Sequence, residues 1–290
     1  MRILIGGMGG TGTSLAIDRV GHGDRGWGIR RRHKRPPPKG IVPIEADLRS
    51  PALADHLPEE IDVAVYTAGP HGVRTEEAYR AIYIDGLVSF LSACEKMKHR
   101  PDRVFFASST AMYGDHAGDW VDETTLARPS GASGRILLEA EGCLNASSLR
   151  TTTVRLAGIY GPGRTRLLDR ATEGHATLED QVRYTNRIHD ADCVGIFSHL
   201  IDLPDVDEMY LAVDDEPAPY NDVITYLAQL TGGPYPGHAS APPTVHPIRG
   251  RSNKRCSNAR IKACGYPLLF PDYRAGYSQL VQDRCSASSP

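Results

Sequence analysis

The sequence predicts an α/β protein with a doubly wound parallel sheet and a smaller C-terminal lobe. Three observations support this fold class: the apolar segment Ile3–Ile5 leads into a glycine-rich turn, later apolar runs alternate with segments of helical spacing, and this alternation loosens beyond residue 165. Alternating strands and helices indicate βαβ units, whose right-handed crossovers produce a doubly wound sheet.

Short apolar runs bounded by turn residues mark the strands. The run at Asp62–Tyr66 is continuously apolar, which is typical of a parallel strand that is buried on both faces. The predicted strands after the first are Trp27–Ile29, Ile41–Ile44, Asp62–Tyr66, Arg103–Ala107, Thr151–Leu156 and 208–213.

Apolar residues at intervals of three and four mark the helices between these strands. After the glycine turn, Leu15, Ala16 and Val20 form one such stripe, and a longer one runs from Ala78 to Cys94. The further predicted helices are Pro51–Leu57, Glu76–Lys98, Gly134–Asn145 and 193–203. We expect residues 1–164 and 185–215 to form the larger domain, and residues 165–184 and 216–290 to form the small lobe.

The turn after the first strand has the glycine spacing that a dinucleotide requires. Gly7, Gly9 and Gly12 form a G-x-G-x-x-G motif that opens a helix. The first glycine permits a tight turn, the second lets the backbone approach a pyrophosphate, and the third lets the helix pack closely on the strand. Because the helix N-terminus faces the phosphates, Gly10 and Thr11 belong to the predicted cofactor site. A merely structural glycine turn is the alternative.

The residues that follow the second strand favour NADP over NAD. In NAD-binding chains, an Asp or Glu about 20 residues beyond the glycines accepts a hydrogen bond from the ribose 2′-OH. Here that place has a basic run, residues 30–35, and guanidinium groups bind phosphate bidentately. We therefore expect Arg30 and Arg31 to contact a 2′-phosphate, although a solvated basic loop would have the same composition. The other predicted cofactor contacts follow the third and fourth strands: Asp47, Leu48, Ala68 and Gly69.

Composition excludes several classes of protein. The formal net charge of −2 over 290 residues makes nucleic-acid binding a poor explanation of one local basic patch. No apolar stretch approaches the length of a membrane span, and the N-terminus lacks the pattern of a signal peptide, so we expect a cytoplasmic protein without membrane contact. The six cysteines are scattered without a C-x-x-C pair, which indicates reduced thiols and no metal site.

Three segments together resemble the extended short-chain dehydrogenase/reductase family, which includes nucleotide-sugar epimerases and dehydratases. Phe106–Gly114 is similar to the strand end that bears the catalytic Ser or Thr, Arg155–Gly163 to the R-x-x-x-x-Y-G-P turn, and Asn186–Asp192 to the I-H-V-D-D stretch. The chain looks most like an atypical branch of the family, the YeeZ-like NAD(P)-dependent epimerase/dehydratase proteins. Gly6, Gly9 and Gly12 also satisfy the family's G-x-x-G-x-x-G spacing, so the sequence contains both glycine registers.

The resemblance also shows what the chain lacks. Family chemistry uses a Tyr-x-x-x-Lys pair, in which the lysine lowers the pKa of the tyrosine so that its phenol can transfer a proton. Aligning the helix by its glycine and glutamate places Ser133 at the tyrosine position and Leu137 at the lysine position, and neither residue can do that work. The catalytic candidates that remain are Ser109 and Tyr113. A turn-capping role for Ser109 and a packing role for Tyr113 are the alternatives.

Basic residues near the Tyr160-Gly161-Pro162 turn are the substrate-binding candidates. By resemblance, this is where the small lobe closes over the cofactor, and guanidinium groups there would suit an anionic substrate. The candidates are Arg164, Arg187 and His189, against the alternatives of surface ion pairs for the arginines and a structural role for the histidine.

The sequence therefore predicts an atypical oxidoreductase or epimerase/dehydratase with a Rossmann domain that binds NADP(H). It would act by hydride transfer on a small carbonyl or hydroxyl compound or on a sugar nucleotide. The alternative is an NADP(H)-binding sensor that lost the chemistry, as the residues at positions 133 and 137 suggest. The resemblance further implies a homodimer through helices near residues 80–98 and 134–145.

Overall fold

The computed structural model describes residues 1–32, 36–70, 72, 75–238, 248 and 252–287. The strands are β1 (Arg2–Gly6), β2 (Arg25–Arg30), β3 (Ile41–Glu45), β4 (Val63–Tyr66), β5 (Arg103–Ser109), β6 (Trp120–Val121), β7 (Thr151–Leu156), β8 (Gly158–Tyr160), β9 (Tyr184–Thr185), β10 (Arg187–His189), β11 (Met209–Ala212), β12 (Ala218–Pro219) and β13 (Arg255–Cys256).

The helices alternate with the longer strands, as the sequence predicts. They are α1 (Gly10–Gly21), α2 (Glu76–Arg80), α3 (Leu87–Glu95), α4 (Ala132–Asn145), α5 (Arg166–Thr172), α6 (Asp190–Asp202), α7 (Tyr220–Thr231), α8 (Ala259–Ala263) and α9 (Tyr273–Ala287). Two 3-10 turns lie at Leu53–His56 and Thr110–Tyr113. A π-helical segment, Ala81–Gly86, joins α2 to α3, and the Tyr66 hydroxyl donates to the Ile82 carbonyl within it (2.6 Å).

Seven strands of the described chain form one parallel sheet in the order β11-β7-β5-β4-β1-β2-β3. The strand order reverses between β1 and β4, which is the place where ligands bind in doubly wound sheets. The sheet is a Rossmann fold, so the predicted fold class is confirmed. In the described part of the chain, no helix has both the length and the apolar character needed to cross a membrane.

The two faces of the sheet bury separate apolar cores, because neighbouring residues of a strand point to opposite faces. Ile3 and Ile5 pack with α1 and α6 on one face, while Leu4 packs with α3 and α4 on the other. A third core lies in the small lobe between α5, α7 and α9, around Leu168 and Leu227.

Part of the C-terminal region packs on the seven-stranded sheet. Residues 252–268 were expected in the small lobe, but Cys256, Ile261 and Tyr266 pack into the core that covers the α1–α6 face of the sheet. Strand β13 pairs with β6, which leads this segment back onto the larger domain. The structure also has helix α5 where the sequence shows no clear periodicity.

Candidate functional site

The glycine turn between β1 and α1 has the geometry that the motif predicts. Gly7 adopts a φ of +107°, and a Cβ atom there would lie 2.5 Å from the backbone of Ala68. A Cβ atom at Gly12 would lie 2.2 Å from the Gly7 carbonyl oxygen, whereas one at Gly9 would meet no atom within 4 Å. Gly7 and Gly12 are therefore required by the fold, and Gly9 leaves open space in front of helix α1.

This geometry favours one of the two glycine registers. Gly6 is the last residue of β1, and a Cβ atom there would lie 2.9 Å from a ring atom of Phe90, on the sheet rather than in the turn. The backbone N–H groups of Gly7 and Met8 both donate to the Ile29 carbonyl (3.2 Å each), which fixes the turn to the end of β2. The Gly7-Gly9-Gly12 register is the one that shapes the site.

The basic residues at the end of β2 lie beside this turn. Arg30 is the last residue of the strand, and Arg30 and Arg31 are both exposed. Since Gly7 bonds to Ile29, the residue before Arg30, the basic pair begins one residue from the turn. Arg32 is also exposed, and His33, Lys34 and Arg35, the last three residues of the predicted basic run, lie outside the described residues.

The cofactor candidates after β3 and β4 have different surroundings. Asp47 receives two guanidinium hydrogen bonds from Arg49 (2.6 and 3.0 Å), and these bonds lower the pKa of its carboxyl to about 2. Leu48 is buried in the core on the α3–α4 face. Ala68 contacts the glycine turn, since its backbone limits the space at Gly7, and Gly69 follows it at the same edge of the sheet. The structure brings Ala68 to the predicted cofactor site directly and ties Asp47 to its own loop.

Ser109 lies at the carboxyl end of β5, on the edge of the sheet that carries the glycine turn. It is half-buried and precedes a 3-10 turn, where its side-chain oxygen accepts a hydrogen bond from the Ala111 N–H (3.2 Å). The Ser109 oxygen accepts this bond through a lone pair, so the bond does not use the hydroxyl proton. Ser109 caps a turn, as the alternative interpretation held, and keeps a proton available for a ligand.

Tyr113, the second catalytic candidate, lies in the core with its hydroxyl bonded to protein groups. Its side chain is fully buried, its hydroxyl donates to the Asp122 carbonyl (2.7 Å), and the same oxygen accepts from Arg155 (2.6 Å). Burial raises the pKa of this phenol to about 12, although the Arg155 charge opposes the rise. Arg155 also pairs with the buried carboxylate of Glu141 (2.7 Å), so Tyr113 belongs to a buried polar cluster in the core.

The positions of the missing Tyr-x-x-x-Lys pair are packed against protein. Ser133 and Leu137 are 4% and 3% exposed. The Ser133 N–H, in the first turn of α4, donates to the Ile248 carbonyl (2.8 Å), so Ile248 lies against this end of the helix. The structure therefore gives neither residue a route to a ligand.

Arg164 lies against the cofactor turn instead of with the other two substrate candidates. Its Nη2 atom is 3.2 Å from the Thr11 hydroxyl oxygen, to which it donates, and 3.3 Å from the point where a Gly10 Cβ would stand. The Thr11 hydroxyl in turn donates to Asp190 (3.0 Å), and the Arg164 Nε atom lies 3.6 Å from the same carboxylate oxygen.

Arg187 and His189, the other two substrate candidates, are both buried. The Arg187 guanidinium donates to the Thr185 carbonyl (3.4 Å) and lies 5.8 Å from the Tyr273 ring centroid. The His189 Nδ1 atom accepts from the Ala191 N–H (3.2 Å) and so caps helix α6, and its ring packs on Phe270 with a centroid distance of 4.0 Å. Burial lowers the pKa of His189, which favours the neutral ring that this capping bond requires.

An open cleft lies between the segments 115–128 and 181–183. It has a volume of about 670 Å³ and is lined by Asp115, His116, Ala117, Asp119, Arg128, Gln181, Val182, Arg183 and Asn253. Sequence reasoning missed this cleft, because its walls come from loops 115–128 and 181–183 that are far apart in the chain.

Sequence reasoning also missed Lys254, which follows the cleft residue Asn253. Lys254 is 3% exposed, and its ammonium donates to Ser252 and to the Gly114 carbonyl (2.5 and 3.4 Å). Burial lowers the pKa of this amine. A lone lysine in a segment without periodicity gives no sequence signal for such a position.

Among the described residues, no group of three or more His, Cys, Asp or Glu side chains could bind a metal ion.

Comparisons with known proteins identify the family of this fold. Residues 3–186 match the sequence model of the NAD dependent epimerase/dehydratase family. Protein YeeZ of Escherichia coli strain K12 is 37% identical over 179 residues, and the matched part spans 61% of each chain.

Solved structures extend the likeness over the whole chain. A protein from Methylobacillus flagellatus, assigned to the NAD-dependent epimerases/dehydratases, is 33% identical with a TM-score of 0.80, and the match covers 98% of both chains. The fold is shared with the human epimerase family protein SDR39U1, solved with NADPH (20% identity, TM-score 0.81, 98% of this chain and 100% of that one). It is also shared with MoeE5, solved with UDP-glucose and NAD (24% identity, TM-score 0.81, 99% of both chains). From its matched sequence and its glycine turn, the chain belongs to the NAD dependent epimerase/dehydratase family.

Proposed function

We propose that the protein binds NADP(H) and transfers hydride to or from a small carbonyl or hydroxyl compound or a sugar nucleotide. The observation that carries the proposal is the turn at Gly7–Gly12, open at Gly9, with Arg30 and Arg31 at the end of the neighbouring strand. A carboxylate at that strand end would accept from the 2′-OH of NAD, whereas two fixed positive charges favour a 2′-phosphate.

Ser109 is the proposed proton donor to a substrate oxygen. When bound, the nicotinamide supplies or accepts hydride. Ser109 stands at the carboxyl end of β5, where ligands bind in this fold, and its hydroxyl proton is not used by the bond from Ala111. Arg128, an exposed side chain in the wall of the cleft of about 670 Å³, would bind polar groups of the substrate. The sugar nucleotide bound to MoeE5, which shares the fold, supports that substrate class.

A non-catalytic NADP(H) sensor is the second candidate function. It is favoured by the packing of Ser133 and Leu137, because these two residues occupy the positions of the family's proton-transferring pair and neither is an accessible acid. The two functions share the cofactor site and differ only in turnover.

The cofactor preference is tested by calorimetric titration of NADPH and NADH. We expect the wild type to bind NADPH more tightly, and the double variant Arg30→Ala/Arg31→Ala to lose about tenfold or more in NADPH affinity, with NADH affinity almost unchanged. Arg135→Ala, which removes an exposed arginine from α4, is the control and should alter neither affinity. Equal affinity for both coenzymes in every variant would refute the 2′-phosphate contact.

Turnover separates the enzyme from the sensor. We expect the wild type to oxidise NADPH with some member of a panel of carbonyl compounds and sugar nucleotides, and Ser109→Ala to lower kcat by about a hundredfold. Ser109→Thr keeps the hydroxyl and should retain more activity. Absence of oxidation across the panel, together with quenching of tryptophan fluorescence by NADPH, would favour the sensor. Unchanged turnover in Ser109→Ala would remove Ser109 from the mechanism.

A further inference from the structure

Arg164, which is distant in sequence from the glycine turn, reaches the first turn of α1. Arg164 follows the turn that leaves β8, and its own N–H donates to the Gly161 carbonyl (2.9 Å). Gly161 has a φ of +142°, and a Cβ atom there would lie 3.1 Å from the Asp190 Cβ, so this turn packs directly on the start of α6. The close packing places the Arg164 side chain between α6 and the glycine turn.

Two contacts hold the guanidinium there without using all of its donors. The Nη2 atom donates to the Thr11 hydroxyl (3.2 Å), and the Nε atom is 3.6 Å from the Asp190 carboxylate, longer than a direct hydrogen bond. A guanidinium has five N–H donors in a planar fork, so several remain for a ligand. The side chain is 39% exposed and can reorient towards one.

The glycine turn indicates which ligand would lie beside Arg164. A Cβ atom at Gly9 would meet no atom within 4 Å, and the point where a Gly10 Cβ would stand is 3.3 Å from the Arg164 Nη2 atom. In this fold, the pyrophosphate of a dinucleotide lies at the start of α1. A diphosphate there has two negative charges, and the first turn of α1 has no acidic residue. A planar cation beside it would bind two phosphate oxygens at once.

We propose that Arg164 binds the pyrophosphate of the dinucleotide, and that Thr11 and Asp190 orient its guanidinium in the free protein. The proposal rests on the proposed cofactor function and adds a contact from outside the β1–α1 turn. It also replaces the substrate contact that the sequence predicted for Arg164. The ligand contact would couple the Gly161–Arg164 turn, which leads into the small lobe through α5, to occupancy of the cofactor site.

Ligands that differ in the diphosphate test this contact. NADPH contains both the diphosphate and the 2′-phosphate, ADP-ribose contains the diphosphate without the 2′-phosphate, and adenosine 2′-phosphate contains the 2′-phosphate without the diphosphate. We expect Arg164→Ala to weaken NADPH and ADP-ribose by about tenfold or more and to leave adenosine 2′-phosphate unchanged. Arg164→Lys, which keeps the charge and loses the fork, should fall between Arg164→Ala and the wild type.

Two control variants make the result specific. Arg166→Ala removes an exposed arginine two residues away and should change none of the three affinities. Arg30→Ala/Arg31→Ala should show the opposite pattern, with a loss for NADPH and adenosine 2′-phosphate and no change for ADP-ribose.

The outcomes for this inference and for the proposed function differ. A wild type that binds neither NADPH nor NADH would overturn the proposed function. If the wild type binds NADPH, and Arg164→Ala binds NADPH and ADP-ribose as tightly as the wild type does, the role of Arg164 alone is overturned. A loss of the same size for adenosine 2′-phosphate would also overturn it, because that ligand has no diphosphate.

Discussion

Glu141 and Arg155 form the most buried ion pair among the salt bridges of the described residues. Their side chains are each about 5% exposed, and Arg155 also donates to the Tyr113 hydroxyl and lies 4.8 Å from the centroid of its ring. Such a pair adds little to the stability of the fold compared with apolar packing. Removing one partner lowers the stability strongly, because the remaining charge stays buried without a partner. The arrangement explains why a tyrosine in a sequence that resembles a catalytic motif has a structural role.

Neutralising Glu141 tests this role. We expect Glu141→Gln to lower the free energy of unfolding by roughly 3 kcal/mol or more, because Arg155 would keep its charge in the core without a carboxylate. Glu139→Gln is the matched control, since Glu139 lies on the same helix as Glu141 and pairs with Arg80 of α2, and both of these side chains are 45% exposed. Urea unfolding followed by circular dichroism measures both. A small and equal loss in the two variants would contradict a charged, buried Arg155.

At the scale of elements, the turn between β1 and α1 combines two demands on its glycines. Gly12 has no room for a side chain because the Gly7 carbonyl and the Thr67 hydroxyl lie within 2.5 Å of its Cβ direction. Gly9 has room, and its extended backbone (φ −82°, ψ −160°) is accessible to any residue. One glycine is therefore needed for packing, and the other leaves space for a ligand.

Alanine substitutions at Gly9 and Gly12 should separate these demands. We expect Gly12→Ala to lower the free energy of unfolding by about 1–3 kcal/mol, because its methyl group would overlap backbone. Gly9→Ala should change the stability of the free protein by less than about 1 kcal/mol but remove most of the thermal stabilisation that NADPH gives the wild type. Thermal unfolding with and without NADPH measures both effects. If NADPH stabilises Gly9→Ala as much as the wild type, the open space at Gly9 is not the phosphate site.

At the scale of the whole molecule, aromatic contacts join helix α9 to the β8–β10 strand pair. The Tyr160 ring, at the end of β8, stacks on Tyr277 of α9 at a centroid distance of 4.4 Å, and His189 lies between Tyr160 and Phe270. Arg187 is buried as well, 5.8 Å from the Tyr273 ring centroid. Arg187 and His189, two of the three basic residues expected to face a substrate, therefore lie among aromatic side chains.

Most of the larger domain could be predicted because its signals are local. The predicted strand Thr151–Leu156 matches β7 residue for residue, and the predicted helix at 76–98 corresponds to the continuous run from α2 to α3. The small lobe was not resolved into elements, although α7 buries Val223, Ile224 and Leu227 at helical spacing and α9 buries Tyr273, Tyr277 and Leu280 in the same way. The helical spacing of these apolar residues could have predicted both helices, although the composition of the region is irregular.

The sequence by itself determined the fold class, the family and the glycine turn, because strand alternation, helical spacing and the G-x-G-x-x-G motif depend on residues close together in the chain. Only the tertiary structure decided what Tyr113, Arg164, Arg187 and His189 contact. Arg164 meets Thr11 across 153 residues of sequence, and Tyr113 meets Arg155 across 42. A side chain's burial and partners depend on which distant segments pack around it, and no local pattern contains that information.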